Sequence, residues 1–213
     1  MSQAAAAPPT TRERLLQAAE TLFAERGFEA TTLRELTSLA GGNLAAIHYH
    51  FGSKEALLES IFAARAAPIA DRRLALLAAC PRDASGALRL EDIVEAFARP
   101  GWELGEANPP FMRLRARIGI ERREVMQAML TRAFDASSRQ FIDELARALP
   151  DLPQAELFWR FHFMLGVMNY TMANSGRIQS LSNDSCDPGD FELMLPRAVA
   201  FVAAGFRGPH NAG

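Results

Sequence analysis

Hydrophobic residues recur every three or four positions along most of the chain, which is the spacing of one face of an α-helix. The first such stretch begins at Thr10, which forms a capping box with Glu13, and it ends at Gly27. A second capping box joins Thr32 to Glu35. Alternating Val, Ile and Thr runs flanked by hairpin turns, the pattern of strands, do not occur in the sequence. The pattern therefore predicts an all-α protein.

Prolines and polar stretches divide the rest of the pattern. Pro68 is predicted to end or kink the fourth helix, and Pro100 to end a helix that begins at Leu90. Residues 103–110 and 178–189 are predicted to be loops. Further helices are predicted up to Pro81 and over residues 111–120, 122–149, 153–175 and 190–205.

Two short helices joined by a glycine turn follow the first helix. Gly41 and Gly42 form the turn, and the second helix runs from about Leu44 to Phe51 with Ile47 on its inward side. This is the pattern of a helix-turn-helix, whose second helix enters the DNA major groove. The candidate DNA-contacting residues are Thr32, Arg34, Asn43, Leu44, Ala45, Ala46, His48, Tyr49, His50 and Lys54.

Side-chain chemistry suggests roles for these candidates. Ala45 and Ala46 allow close approach to thymine methyl groups, and Asn43 either hydrogen-bonds a base edge or caps its helix. Thr32 presents a hydroxyl and backbone amides to a phosphate, and Arg34 reaches a phosphate or a guanine edge. The phenol, imidazole and ammonium groups of Tyr49, His50 and Lys54 suit phosphates.

Charge limits how strongly this region attracts DNA. The whole chain carries a formal net charge of −2, and residues 10–62 hold five basic and seven acidic side chains. Few phosphates are therefore neutralised by charge, and backbone amides, hydroxyls and helix dipoles must contribute more. We expect a shallow salt dependence of DNA binding, with a slope of roughly two to four per monomer at about 0.9 per neutralised phosphate.

Composition excludes several other classes of protein. Two distant cysteines, Cys80 and Cys186, exclude a disulfide framework and a cysteine-rich zinc site, and suit the cytoplasm. No apolar run reaches the roughly 18 residues of a spanning helix, and residues 1–10 lack the segments of a signal peptide, so no membrane association is expected.

HExxH, GxSxG and glycine phosphate loops do not occur in the sequence. His48 and His50 lie about 200° apart on a helix. Neither an enzyme nor a bound cofactor or metal is predicted.

The stretch TTLREL, followed by AGGNLAAIHYHFGSKEAL, resembles the N-terminal domain of TetR-family repressors over about residues 12–62. The resemblance places Arg34, Tyr49, His50 and Lys54 at DNA-contacting positions. Gly42 departs from the hydrophobic residue usual in the family. The resemblance implies an N-terminal three-helix helix-turn-helix DNA-binding domain and a C-terminal helical ligand-binding and dimerisation domain. The predicted boundaries are a tail at 1–10, domains at 11–54 and 55–207, and a tail at 208–213.

Segments 111–114, 156–166 and 201–205 resemble the ligand domain of a TetR subgroup that includes fatty-acid-responsive repressors of β-oxidation genes. The resemblance implies a repressor released from a palindromic double-stranded DNA operator by a small hydrophobic effector, for which a fatty acid or acyl-CoA is one candidate. An aromatic or drug-like compound controlling an efflux or catabolic gene is the alternative effector. A non-DNA-binding interaction protein is the alternative function.

The helix predicted over 153–175 is apolar on two sides, so one side faces its own domain and the other favours a symmetry mate. With the last helix it would form a four-helix homodimer interface, the alternative being a monomer core. The candidate interface residues are Phe158, Leu165, Gly166, Asn169, Met194, Ala198, Phe201 and Val202. The candidate effector-pocket residues, for which ordinary core is the alternative, are Trp102, Phe111, Arg115, Phe134, Phe141, His162 and Phe163. Effector binding is expected to tilt the helix that begins at Lys54.

Overall fold

A computed structural model of the chain describes residues 8–173 and 176–209, without the side chains of residues 106 and 173. Within these residues the structure has ten α-helices and no β-strand, which confirms the all-α prediction. Much of the predicted tails, and the end of the helix predicted to reach Ser175, lie outside the described residues. The helices are α1 (Thr11–Arg26), α2 (Leu33–Leu39), α3 (Leu44–His50), α4 (Lys54–Ala79), α5 (Leu90–Ala107), α6 (Pro109–Glu121), α7 (Arg123–Ala148), α8 (Gln154–Ala173), α9 (Arg177–Leu181) and α10 (Phe191–Arg207).

Both predicted capping boxes are confirmed. At the start of α1, the Glu13 amide donates to Thr10 Oγ1 over 3.2 Å, and the Thr10 amide donates to Glu13 Oε2 over 2.7 Å. At the start of α2, the corresponding distances between Thr32 and Glu35 are 3.2 and 2.8 Å. These contacts satisfy backbone donors that the first turn of a helix leaves without an intrahelical partner, so they set where each helix begins.

The predicted helix end at Pro100 is wrong, because α5 continues through it, and α4 likewise does not end at Pro68, where an end or a kink was predicted. Buried side chains lie on both sides of each proline, namely Phe62 and Ile69 in α4 and Phe97 and Trp102 in α5. Proline removes one helical hydrogen bond, and the burial of side chains on either side of it offsets that loss. The predicted loop 103–110 is therefore mostly helical, and α9 overlaps the start of the predicted loop 178–189.

The internal contacts of the chain define two compact units. The first comprises the residues up to Ala66 together with Pro109–Met129, so α6 packs with the N-terminal helices. In this unit α1 contacts α2, α3 and α6, and the Phe62 and Phe111 ring centroids lie 5.2 Å apart. Its buried side chains include Leu15, Leu22, Phe23, Phe28, Leu36, Ile47, Leu57, Ile61, Leu114 and Ile118.

The second compact unit comprises Ala67–Asn108 and the residues from Leu130 onward. Here α10 packs against α5 and α8, and Phe97 lies 5.0 Å from Phe141 and 5.3 Å from Phe161 between ring centroids. The buried Arg160 donates to the backbone carbonyls of Gly205, Phe206 and Gly208, which ties the end of α10 to α8. None of the helices in the described part of the chain is both long and apolar enough to cross a bilayer.

Candidate nucleic-acid interface

The turn before α3 is held against α1. Gly41 has φ +62°, a left-handed conformation that suits glycine, and the Arg14 Nε donates to the Ala40 carbonyl over 3.1 Å. The fully buried Ile47 anchors α3 from its inner side. A Cβ at Gly42 would meet nothing within 4 Å, so a methyl group at this position would lie in open space.

Most of the predicted DNA-contacting residues on α3 face solvent. Leu44, Ala45, His48 and Tyr49 are exposed, whereas Ala46 and His50 are partly buried. Of the two roles predicted for Asn43, the structure shows the cap, because its Oδ1 accepts from the Ala46 amide over 2.9 Å. The α3 surface therefore combines small, apolar and aromatic side chains around a buried anchor.

The start of α2 already holds a carboxylate. Both the amide and the hydroxyl of Thr32 lie 2.8 Å from Glu35 Oε2. These hydrogen bonds lower the pKa of Glu35, with a smaller contribution from the nearby Arg26 charge. A phosphate at this helix end would have to share these donors with Glu35. The neighbouring Arg34 is exposed.

Lys54 lies inward on the aromatic ring of Phe28. Its Nζ is 4.4 Å from the ring centroid, and the guanidinium carbon of Arg122 lies 4.5 Å from the same centroid. Arg117 donates to the carbonyl of Glu25 over 3.1 Å. Cations from the end of α6 and the residue following it therefore hold the corner between α1 and α2, a role that the sequence analysis missed.

An exposed aromatic face lies on α8 and α10. Trp159 and Phe163 are stacked with ring centroids 5.9 Å apart, and their exposed fractions are 58% and 59%. Of the predicted interface residues, Phe158, Gly166, Asn169 and Phe201 are exposed, Leu165, Met194 and Ala198 are partly buried, and Val202 is buried. We define the aromatic face as Phe158, Trp159, Phe163, Tyr170, Leu193 and Phe201.

The candidate pocket residues are divided between the two units. Trp102 and Phe141 are buried in the core of the second unit, where Phe134 lies 5.1 Å from the Arg73 guanidinium carbon. Phe111 and Arg115 belong to the first unit, and burial lowers the pKa of Arg115. The remaining two candidates, His162 and Phe163, are exposed beside Trp159.

The second unit has a groove of about 610 Å³ between α8, α9 and α10. Met194, Ala198 and Phe201, all predicted for the dimer interface, line it. A smaller cavity of about 80 Å³ nearby is lined by Arg160, Phe163 and residues of α10. Neither cavity gathers the predicted effector-pocket residues, and no metal-ligand cluster occurs among the residues that the structure describes.

Two family models match this chain. Residues 15–61 match the model described as bacterial regulatory proteins of the tetR family, and residues 95–205 match a tetracyclin repressor-like C-terminal domain. The second match covers more than half of the 213 residues. The chain therefore belongs to the TetR family of bacterial regulatory proteins, as its sequence predicts.

Individual relatives share shorter stretches or only the fold. The HTH-type transcriptional repressor KstR2 of Mycolicibacterium smegmatis is 43% identical over 54 residues, which are 25% of this chain and 26% of that protein, so the match spans about a quarter of its length. FadR from Bacillus halodurans has a TM-score of 0.66 at 13% identity and matches over 96% of this chain and 100% of its own. FadR from Bacillus subtilis, solved in complex with stearoyl-CoA, has a TM-score of 0.64 at 13% identity and matches over 90% and 97%.

Proposed function

We propose that this chain is a cytoplasmic transcriptional repressor that binds a palindromic DNA operator as a homodimer and leaves it when a hydrophobic small molecule binds. The observation that carries the DNA-binding part is α3, an exposed helix anchored by the buried Ile47 and preceded by the left-handed Gly41. Small side chains on such a helix allow it to enter the major groove, which admits one helix. Family membership and the similarity to a named repressor support this function.

Fluorescence anisotropy with labelled duplexes from the DNA flanking the gene tests DNA binding. Replacing the exposed Arg34 by alanine is expected to weaken binding roughly tenfold, because it removes a phosphate or guanine contact. Arg139→Ala, which removes an exposed arginine from the second unit, is the matched control and should leave affinity unchanged. If the wild-type protein binds no fragment, or if both variants behave alike, the proposed interface is wrong.

Dimerisation is supported by the aromatic face on α8 and α10. Large exposed apolar patches mark interaction sites, and a two-fold dimer would place two recognition helices about 34 Å apart on one side of the duplex. The exposed Gly166 beside this face leaves room for a close helix approach, since a Cβ there would meet nothing within 4 Å. We assign the interface to the aromatic face and its partly buried neighbours Leu165, Met194 and Ala198.

Tryptophan fluorescence tests the interface directly. In a Trp102→Phe variant the remaining tryptophan is Trp159, whose emission should be blue-shifted in the dimer and move to the red on dilution. Phe163→Asp should give a monomer in sedimentation velocity. Ile120→Asp is the control, because Ile120 is 86% exposed but lies on α6 in the first unit. An emission maximum that does not change with concentration, in a protein that sediments as a monomer, would contradict the dimer.

The effector is proposed to be a fatty acid or acyl-CoA, following the subgroup resemblance and the stearoyl-CoA complex of the Bacillus subtilis structural relative. Shifting a two-state equilibrium from 99:1 to 1:99 requires about 5.5 kcal/mol of differential binding. At about 0.8 kcal/mol per CH₂, some seven methylene groups buried in one state and not the other would supply it. Titration with fatty acids and acyl-CoAs should release the protein from the operator. Unchanged operator binding would eliminate this effector class. A panel of aromatic and drug-like compounds would then test the alternative effector.

A further inference from the structure

The outward side of α3 is apolar where the helix begins. Leu44 is 48% exposed and Ala45 is exposed, both on the first turn, and Tyr49 follows one turn later at 85% exposure. Successive residues of a helix are about 100° apart, so Ala45 and Tyr49 lie opposite the buried Ile47. By the same count Leu44 lies about 60° from Ile47, at the edge of the buried side, so the exposed surface of the first turn presents the methyl group of Ala45 and part of the isobutyl group of Leu44.

Polar side chains beside this turn are engaged within the protein. Asn43 Oδ1 accepts the Ala46 amide hydrogen, and His48 Nδ1 lies 3.1 Å from the Gly52 carbonyl oxygen. Farther along the chain, at the start of α4, Lys54 Nζ lies over the Phe28 ring. Because of these contacts, the first turn of α3 has few polar side chains that could form two hydrogen bonds to one base.

In a helix-turn-helix the N-terminal residues of the second helix contact base edges in the major groove. Apart from the thymine C5-methyl group, those edges are hydrogen-bond donors and acceptors. An apolar side chain placed against a donor or acceptor displaces its water without replacing the hydrogen bond, which is unfavourable. Against a thymine methyl group the same side chain buries apolar surface, which is favourable.

We infer that the first turn of α3 reads thymine methyl groups through Leu44 and Ala45. Each half-site then carries T·A pairs at the positions that these two side chains meet, and the operator is recognised there by apolar contact. This inference rests on the proposed DNA-binding function and specifies the chemistry of its target.

Replacing thymine by uracil tests the inference, because uracil lacks only the methyl group. A duplex that the wild-type protein selects from a random-sequence library is resynthesised with deoxyuridine at one thymine position of both half-sites at a time. At the contacted positions, each lost methyl should weaken binding about fourfold, the factor that corresponds to about 0.8 kcal/mol per buried carbon group. Substitutions in the flanking sequence should have no effect.

Variants assign the contact to its side chain. Leu44→Ala should lose most of the sensitivity to uracil at one position, and Leu44→Asn should shift the preference there toward adenine, which asparagine reads through two hydrogen bonds. Leu181→Ala, which truncates an exposed leucine of α9, is the matched control and should retain the wild-type pattern. A selected duplex that binds equally well with uracil at every position would overturn the methyl readout alone. A library from which no duplex is recovered would overturn the DNA-binding function as well.

Discussion

Gly27, at the end of α1, is the position where we expect a single added methyl group to be most disruptive in the first unit. Its backbone has φ +93° and ψ 162°, a region that is essentially restricted to glycine. A Cβ built on Gly27 would lie 2.8 Å from Nη2 and 2.9 Å from Nε of Arg117. Gly27→Ala therefore introduces backbone strain and also displaces the guanidinium of Arg117 from the Glu25 carbonyl.

The magnitude follows from these two contributions. Alanine in this backbone region costs about 1–3 kcal/mol, and losing a hydrogen bond costs about 1 kcal/mol. Gly27→Ala should thus lower the free energy of unfolding by about 2–4 kcal/mol, a large part of the 5–15 kcal/mol typical of a whole protein. Urea denaturation followed by circular dichroism measures this difference.

Two further variants separate strain from a general effect of alanine. Gly119→Ala is the control within α6, because a Cβ there meets nothing within 4 Å; it should raise stability by about 0.5–1 kcal/mol. Arg117→Ala should cost less in the Gly27→Ala background than in the wild type, because the guanidinium is already displaced there. If Gly27→Ala changes the free energy of unfolding by less than 0.5 kcal/mol, the reasoning about this corner is refuted.

Three other predictions concern charged groups. Arg160→Ala should lower the free energy of unfolding by about 3 kcal/mol in urea denaturation, because it leaves the carbonyls at the end of α10 without their buried donor; a loss under 1 kcal/mol would contradict this. Hydrogen bonds from Arg207 lower the pKa of Glu91 to about 2 from an ordinary value of 4.5. Their pairing therefore stabilises the fold above about pH 4.5, and this stabilisation is lost as the pH falls toward 2. The free energy of unfolding of the wild type should fall more over that range than that of Glu91→Gln. Equal decreases would exclude the pairing. Operator affinity measured against salt concentration should give a slope of roughly two to four per monomer, and a slope near ten would contradict the shallow dependence.

The local parts of the fold were accessible from the sequence because their determinants lie a few residues apart. Both capping boxes join residues three positions apart, and the turn before α3 contains the left-handed Gly41. The helix ends were not predictable from Pro68 and Pro100 because a proline is only a local signal, whereas the burial of nearby side chains, such as Phe62 against Phe111, depends on residues distant in the sequence.

The role of α6 was not accessible in the same way. About 80 residues separate α6 from α1, and periodicity alone does not tell which helices will pack together. Residues 111–122 carry the four arginines Arg113, Arg115, Arg117 and Arg122 among apolar residues, and these arginines were the available signal that the segment meets polar or aromatic partners. The structure shows the carbonyl of Glu25 and the ring of Phe28 as the partners of Arg117 and Arg122. The same holds for Phe163. The sequence shows that it is an apolar residue of a helix, but it does not show that its side chain is exposed.

The acidic balance of the DNA-binding region is compatible with specific binding if affinity comes from two half-sites rather than from charge. Lys54 is engaged with Phe28 and Glu35 occupies the start of α2, so each protomer offers few groups that neutralise phosphate. Low charge weakens binding to arbitrary DNA, since that binding is almost wholly electrostatic. When two recognition helices are fixed by one dimer interface, the second contact forms at high effective concentration. Specific binding then gains from the dimer while non-specific binding gains little, so disrupting the aromatic face should reduce discrimination between operator and arbitrary DNA more than it reduces non-specific affinity.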